Sequence, residues 1–155
     1  MGRRSYIVKA GGGEFKLRLT LAGQKNLMAK NPDVSVMALV MSAIDDPQDM
    51  ENLLTEALNW EGSENAITEG AKLYDLMVDD GKCGTDHFAD LVLNIAHNAG
   101  LINDDERKQI YRGIVAKFKK GIDSMFGEEP EFFDLSEDEE GGEGSDNPQM
   151  TMQTL

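Results

Sequence analysis

Over the first twenty residues apolar and polar positions alternate. Tyr6, Val8 and Ala10 interleave with Ile7 and Lys9, and Phe15, Leu17 and Leu19 interleave with Lys16, Arg18 and Thr20. A period of two is that of a strand with one buried face, so two short strands joined through Gly11, Gly12 and Gly13 are predicted to form a hairpin. A lone hairpin is marginal in water, and its apolar face must lie against other elements.

After Leu19 the period lengthens to that of a helix. Residues 21–30 form a short helix that Asn31 and Pro32 end, because proline disfavours helical geometry in the residue before it. Asp33 is placed to cap a second helix reaching about Ile44; Val34, Val36, Met37, Leu39, Val40, Met41 and Ile44 make it apolar on nearly every face and predict the most buried helix of the core. A third begins with Asp46 as N-cap, Pro47 at the first helical position and Asp49 in the positive first turn. Met50, Leu53, Leu54, Ala57 and Leu58 then recur at helical spacing, until Trp60 and Gly62 close it. The fourth runs from Ser63 or Thr68 to Val78, presents Ile67, Ala71, Tyr74 and Met77 or Val78, and breaks at Asp79, Asp80 and Gly81. Thr85 caps the fifth, which carries Phe88, Leu91, Val92, Ile95 and Ala99 and stops at Gly100 and Leu101. Asn103 to Glu106 is a capping box opening a sixth, with Ile110, Ile114, Val115 and Phe118 inward and Arg107, Lys108, Arg112, Lys117, Lys119 and Lys120 outward.

From Gly127 the chain is rich in Glu, Asp, Gly and Ser and too poor in apolar residues to offset the cost of ordering, about 1 to 2 kcal/mol per residue of backbone. Disorder is expected there. The fold class is therefore α+β and mainly α: an N-terminal hairpin (residues 1–20) packed on a bundle of about six helices (21–126) as one domain, with a disordered acidic tail (127–155).

Charge sharpens this division. The 155 residues hold 15 Lys and Arg against 29 Asp and Glu, a net charge of −14. Ten of the acids and none of the bases fall in residues 127–155, so residues 1–126 are only mildly acidic. Phosphate backbones and anionic membranes are poor partners for such a chain, because binding to them depends on cationic neutralisation. No run approaches the roughly 18 apolar residues of a membrane span. The twin-arginine start MGRRSYIVK leads into AGGGEFKLRL instead of the unbroken apolar stretch of at least about seven residues that export needs, and Tyr6 occupies the position where myristoylation requires Ser or Thr.

Candidate chemistry is sparse. Cys83 is the only cysteine, which rules out an intramolecular disulfide and suits a reducing compartment. Cys83 and His87, with Asp86 and Asp90 nearby, have ligand-like spacing, but a structural zinc site needs a second pair, and His97 alone does not supply it. The stretch Asp79 to Asp90 fails as a calcium loop: with Gly84 as the loop glycine, Gly81 and Cys83 fall on ligand positions and Asp90 on that of the glutamate. Gly11 to Gly13 lacks the Lys and Ser or Thr of a phosphate loop. No Ser, His and Asp set has a nucleophile elbow. We therefore expect no catalytic residue, no metal and no cofactor.

Two segments suit a protein partner. The basic face of the sixth helix, with Lys108 and Arg112, fits an acidic surface, the chain's own tail included. Within that tail Phe132, Phe133 and Leu135 form an apolar knot, the kind of segment that orders on meeting a groove.

The strand FKLRLT entering a helix, the stretch Ala71 to Gly81 (AKLYDLMVDDG) and the Thr85-Asp86 helix with its glycine stop resemble, over residues 6–102, the tail assembly chaperones of long-tailed phages and of prophages of Gram-positive bacteria. The resemblance implies a non-enzymatic factor of the bacterial cytoplasm that binds the tape measure protein, keeps it soluble, recruits tail tube subunits and is absent from the finished virion. It adds no catalytic residues, and a homo-oligomer stays open. A chain this acidic has an alternative reading as a DNA mimic or other small regulatory inhibitor, and an enzyme subunit would need a deep pocket with converging polar groups.

Overall fold

The alternating segment folds as the predicted hairpin. In the computed structural model, which describes residues 5–125, β1 (Tyr6–Ala10) pairs antiparallel with β2 (Gly13–Leu17), Tyr6 opposite Leu17, Val8 opposite Phe15 and Ala10 opposite Gly13. That register leaves two residues in the loop, Gly11 and Gly12, with φ of 60° and 79°. Two positive φ angles in succession are what a type I′ turn requires, and glycine adopts them without strain. Six helices follow: α1 (Leu21–Lys30), α2 (Val36–Ser42), α3 (Pro47–Leu58), α4 (Gly70–Asp79), α5 (Thr85–Asn98) and α6 (Asp104–Met125). The chain divides into two units, Met1–Val115 and Ala116–Leu155, with the boundary inside α6.

In the first unit Val8, Ala10, Phe15 and Leu17 of the hairpin enter the same buried cluster as Leu53, Leu54 and Leu58 of α3, Leu73 of α4 and Val92 and Ile95 of α5. Past β2 the chain is tied to α3 through the Arg18 N–H, which donates to the Ala57 carbonyl at 3.0 Å. The α3 cap is the one expected: the Asp46 carboxylate accepts from the N–H groups of Gln48 and Asp49 at 2.9 and 3.1 Å. The box before α6 is reciprocal, Asn103 and Glu106 each accepting at 2.8 Å from the other's backbone N–H. At the end of α5, Gly100 donates to His97 and Leu101 to Ala96, a Schellman motif. The end of α4 repeats it, Gly81 donating to Val78 and Lys82 to Met77.

Several expectations are corrected. Helix α2 begins at Val36 with Ser35 as its cap, because Asn31 to Val34 close a turn in which the Val34 N–H donates to the Asn31 carbonyl, and Asp33 falls outside the helix. It is not the most buried helix: only Leu39 and Val40 are buried within it, against five residues of α3 and six of α5. Helix α4 starts at Gly70, later than Ser63 or Thr68, and its buried positions are Gly70, Leu73 and Met77, with Ala71 and Val78 exposed. The reason is tertiary. The Thr55 hydroxyl of α3 accepts from the Gly70 N–H at 3.0 Å, and the Asn59 side chain donates to the Thr68 carbonyl at 2.8 Å, so α3 decides where α4 begins. Thr85 is the first residue of α5 and not its cap, which is Gly84 at φ 96°. On α6 no residue is buried, and Phe118, expected inward, is 50% exposed. Periodicity gives the side of a helix, not how far along it a neighbour reaches. The tail expected to be disordered, with Phe132, Phe133 and Leu135, lies outside the described residues.

Candidate partner-binding cleft

A cleft of about 540 Å³ opens along β1. One wall is four consecutive strand residues, Tyr6 to Lys9, and the rest comes from Glu14, from Met77 of α4, from Lys82 and from His87, Phe88, Asp90 and Leu91 of α5. Both ends of the strand are fixed. At the turn, the Gly11 N–H donates to the Asp80 carboxylate at 2.7 Å and the Lys82 ammonium donates to the Lys9 carbonyl. At the other end the Tyr6 hydroxyl donates to Asp90 at 3.2 Å. Phe88 stacks on Tyr74 with ring centres 5.5 Å apart, which holds it in place from the α4 side.

The register decides what β1 offers here. In a hairpin with a two-residue loop the residues flanking the loop exchange hydrogen bonds, and alternate pairs beyond them do the same. Ala10, Val8 and Tyr6 thus bond across to β2, while the main-chain groups of Ile7 and Lys9 face away from it. On β2 the equivalent outward residue is Lys16, and it is fully engaged: its N–H donates to Asn65 at 2.8 Å, and its carbonyl accepts from the Trp60 indole and from Asn65, both at 2.9 Å. On β1 the Lys9 carbonyl is taken by Lys82, which leaves the outward groups of Ile7 at the cleft beside its own side chain, 48% exposed. The cleft therefore joins an apolar floor to a strand edge.

Its polar groups are arranged for structure. Burial pushes the Tyr6 hydroxyl above the usual tyrosine range, and the neighbouring Asp90 carboxylate pushes it further the same way. The protonated hydroxyl is thus favoured in the fold, so its contribution is intact below about pH 10, the ordinary tyrosine value, and fades as pH rises through the higher folded value. Stability measured by urea unfolding should fall between roughly pH 9.5 and 11 more steeply in the parent chain than in Tyr6→Phe. Equal slopes would remove Tyr6 from this account.

A second cleft, about 560 Å³, lies by α1 and the end of α3 and is lined by Arg18, Thr20, Asn26, Glu56, Asn59 and Trp60 among others. It is the more polar, and the Arg18 guanidinium sits 5.7 Å from the centre of the Trp60 ring. Among the described residues no three His, Cys, Asp or Glu side chains converge as a metal would need. Cys83 is half-buried, and His87 lies exposed on the wall of the first cleft. No helix among the described residues is long and apolar enough to cross a membrane.

Of the sequence-predicted partner residues, Lys108 and Arg112 line neither cleft, and Phe132, Phe133 and Leu135 lie outside the described residues. Lys108 and Arg112 stand exposed on α6, and the Lys108 ammonium lies 3.3 Å from the Asp104 carboxylate, which Arg107 approaches to 2.6 Å. The hydrogen bond from Arg107, and then that from Lys108, holds Asp104 below the usual carboxylate range. The signal for the β1 cleft was one residue, Ile7, an isoleucine in the outward phase of an alternating strand. No family profile, curated protein or solved structure matches the chain.

Proposed function

We propose that this chain is a non-catalytic chaperone of phage tail assembly, which binds the tape measure protein in the bacterial cytoplasm, keeps it soluble and recruits tail tube subunits before tails are complete. The β1 cleft is the observation that carries the binding half of this reading. A long tape measure chain displays apolar stripes until the tube covers it, and a groove floored by Met77, Phe88 and Leu91 is of the right chemistry to shield such a stripe. The Ile7 edge adds main-chain hydrogen bonds that do not depend on the guest's sequence, which suits a guest of repeating composition. The net charge of −14 would oppose aggregation of the complex. Support for the recruiting half and for the phage setting is the resemblance over residues 6–102.

Co-expression of the full chain with the tape measure protein tests the proposal. The expected result is co-purification and a larger soluble fraction of that partner, with Ile7→Asp cutting the recovered complex about tenfold while its circular dichroism stays that of the parent. A partner equally insoluble with and without this chain would end the proposal.

A further inference from the structure

The C-terminal half of α6 carries an apolar stripe that is exposed at both ends and half-buried at Ile122. Phe118, Ile122 and Met125 fall at i, i+4 and i+7, one side of a helix; Phe118 is 50% exposed and Met125 76%. Lys117 and Lys119 lie about 100° to either side of Phe118, the angle one residue turns through, so the stripe is flanked by ammonium groups. No acid occurs from Arg107 to Ile122, and among the described residues no carboxylate pairs with Lys117, Lys119 or Lys120. An apolar seam bordered by unpaired cations, on a chain of net charge −14, calls for an occupant that is both apolar and acidic.

The chain itself has one. Residues 128–140, outside the described residues, contain eight acids, no Lys or Arg, and Phe132, Phe133 and Leu135. We infer that this segment docks in cis on the Phe118, Ile122 and Met125 face, with its carboxylates against Lys117 and Lys119. Reach permits it. Phe118 lies seven residues back from Met125, about 10 Å along the axis, and the seven residues from Met125 to Phe132 span up to about 23 Å when extended. A tether so short gives an effective concentration in the millimolar range, enough for a weak contact to be populated. A second copy of α6 is a poorer occupant, since it would set lysine against lysine.

Hydrogen exchange on the full chain, at concentrations where its mass is that of one copy, tests this separately from any tape measure binding. Exchange of the amides of residues 118–125 should quicken about tenfold when Phe132, Phe133 and Leu135 are changed to Ser, and to a similar degree when Lys117 and Lys119 are changed to Glu. Amides of α3 should keep their rates in both variants, which shows that the first unit remains folded. Raising the salt to 1 M should quicken the parent but not the charge-reversed variant. Unchanged rates in both variants would overturn the inference, as would protection that grows with protein concentration, the mark of a second copy.

Discussion

Gly70→Ala is expected to destabilise the first unit by about 3 kcal/mol or more, a cost at the upper end for overpacking a close contact. A Cβ built on Gly70 would collide with the Glu51 carbonyl oxygen and come to 2.7 Å from the Thr55 hydroxyl and 2.8 Å from the Thr55 nitrogen. Two of these three atoms are α3 backbone, which cannot move without displacing a helix that carries Met50, Leu53, Leu54, Ala57 and Leu58 into the core. Relief by shifting α4 instead would break the bond from the Gly70 N–H to Thr55. Gly113→Ala, at a helical position where an added Cβ meets nothing within 4 Å, is the control, and there alanine should be neutral or stabilising by up to about 1 kcal/mol through helix propensity. Urea titration of both variants decides the matter, and equal midpoints would refute the close approach.

Leu17→Ala should cost about 2 to 5 kcal/mol, the range for a buried leucine whose cavity the surroundings cannot fill. Leu17 is fully buried, at 0% exposure, at the end of β2 where the hairpin enters the cluster of α3 and α5. Ile7→Ala removes a side chain of similar size from the same hairpin at 48% exposure, and should cost under about 1 kcal/mol, in proportion to the small apolar area it hides. The hairpin has no stability of its own, so Leu17→Ala should also raise hydrogen exchange throughout β1 and β2 relative to α3. Similar midpoint shifts for the two variants would show that the hairpin is not anchored through Leu17.

Which parts of this fold were legible in the sequence follows from how local their causes are. The Asp46 cap, the Asn103 to Glu106 box and the Gly100 stop each rest on residues within five positions of one another, the hairpin on one unbroken stretch of twelve, and all were readable. The start of α4 was not, because its cause lies 15 residues away in the Thr55 hydroxyl. Of the stripe expected there Met77 is buried and Ile67 and Tyr74 pack half-buried against the core, whereas Ala71 and Val78 are exposed and Leu73 takes the central buried place. The burial ranking of α2 failed for a related reason: an apolar helix of seven residues is too short to bury all its faces, and Met37 and Met41 reach only the margin of the core. The β1 cleft was hidden because it is assembled from β1, α4 and α5, whereas Lys108 and Arg112 stood out as charges and prove to lie apart from it, Lys108 paired with Asp104.

The two sides of the hairpin differ in one more respect. With Lys16 sealed by Asn65 and Trp60, growth of the sheet is favoured from the Ile7 side. A strand arriving there finds a place, and any further strand would have to stack on the newcomer instead of on this protein. The stoichiometry of edge pairing is therefore one guest strand per chain, and a pair of chains joined through their Ile7 edges would be a closed dimer with no way to propagate into a fibre.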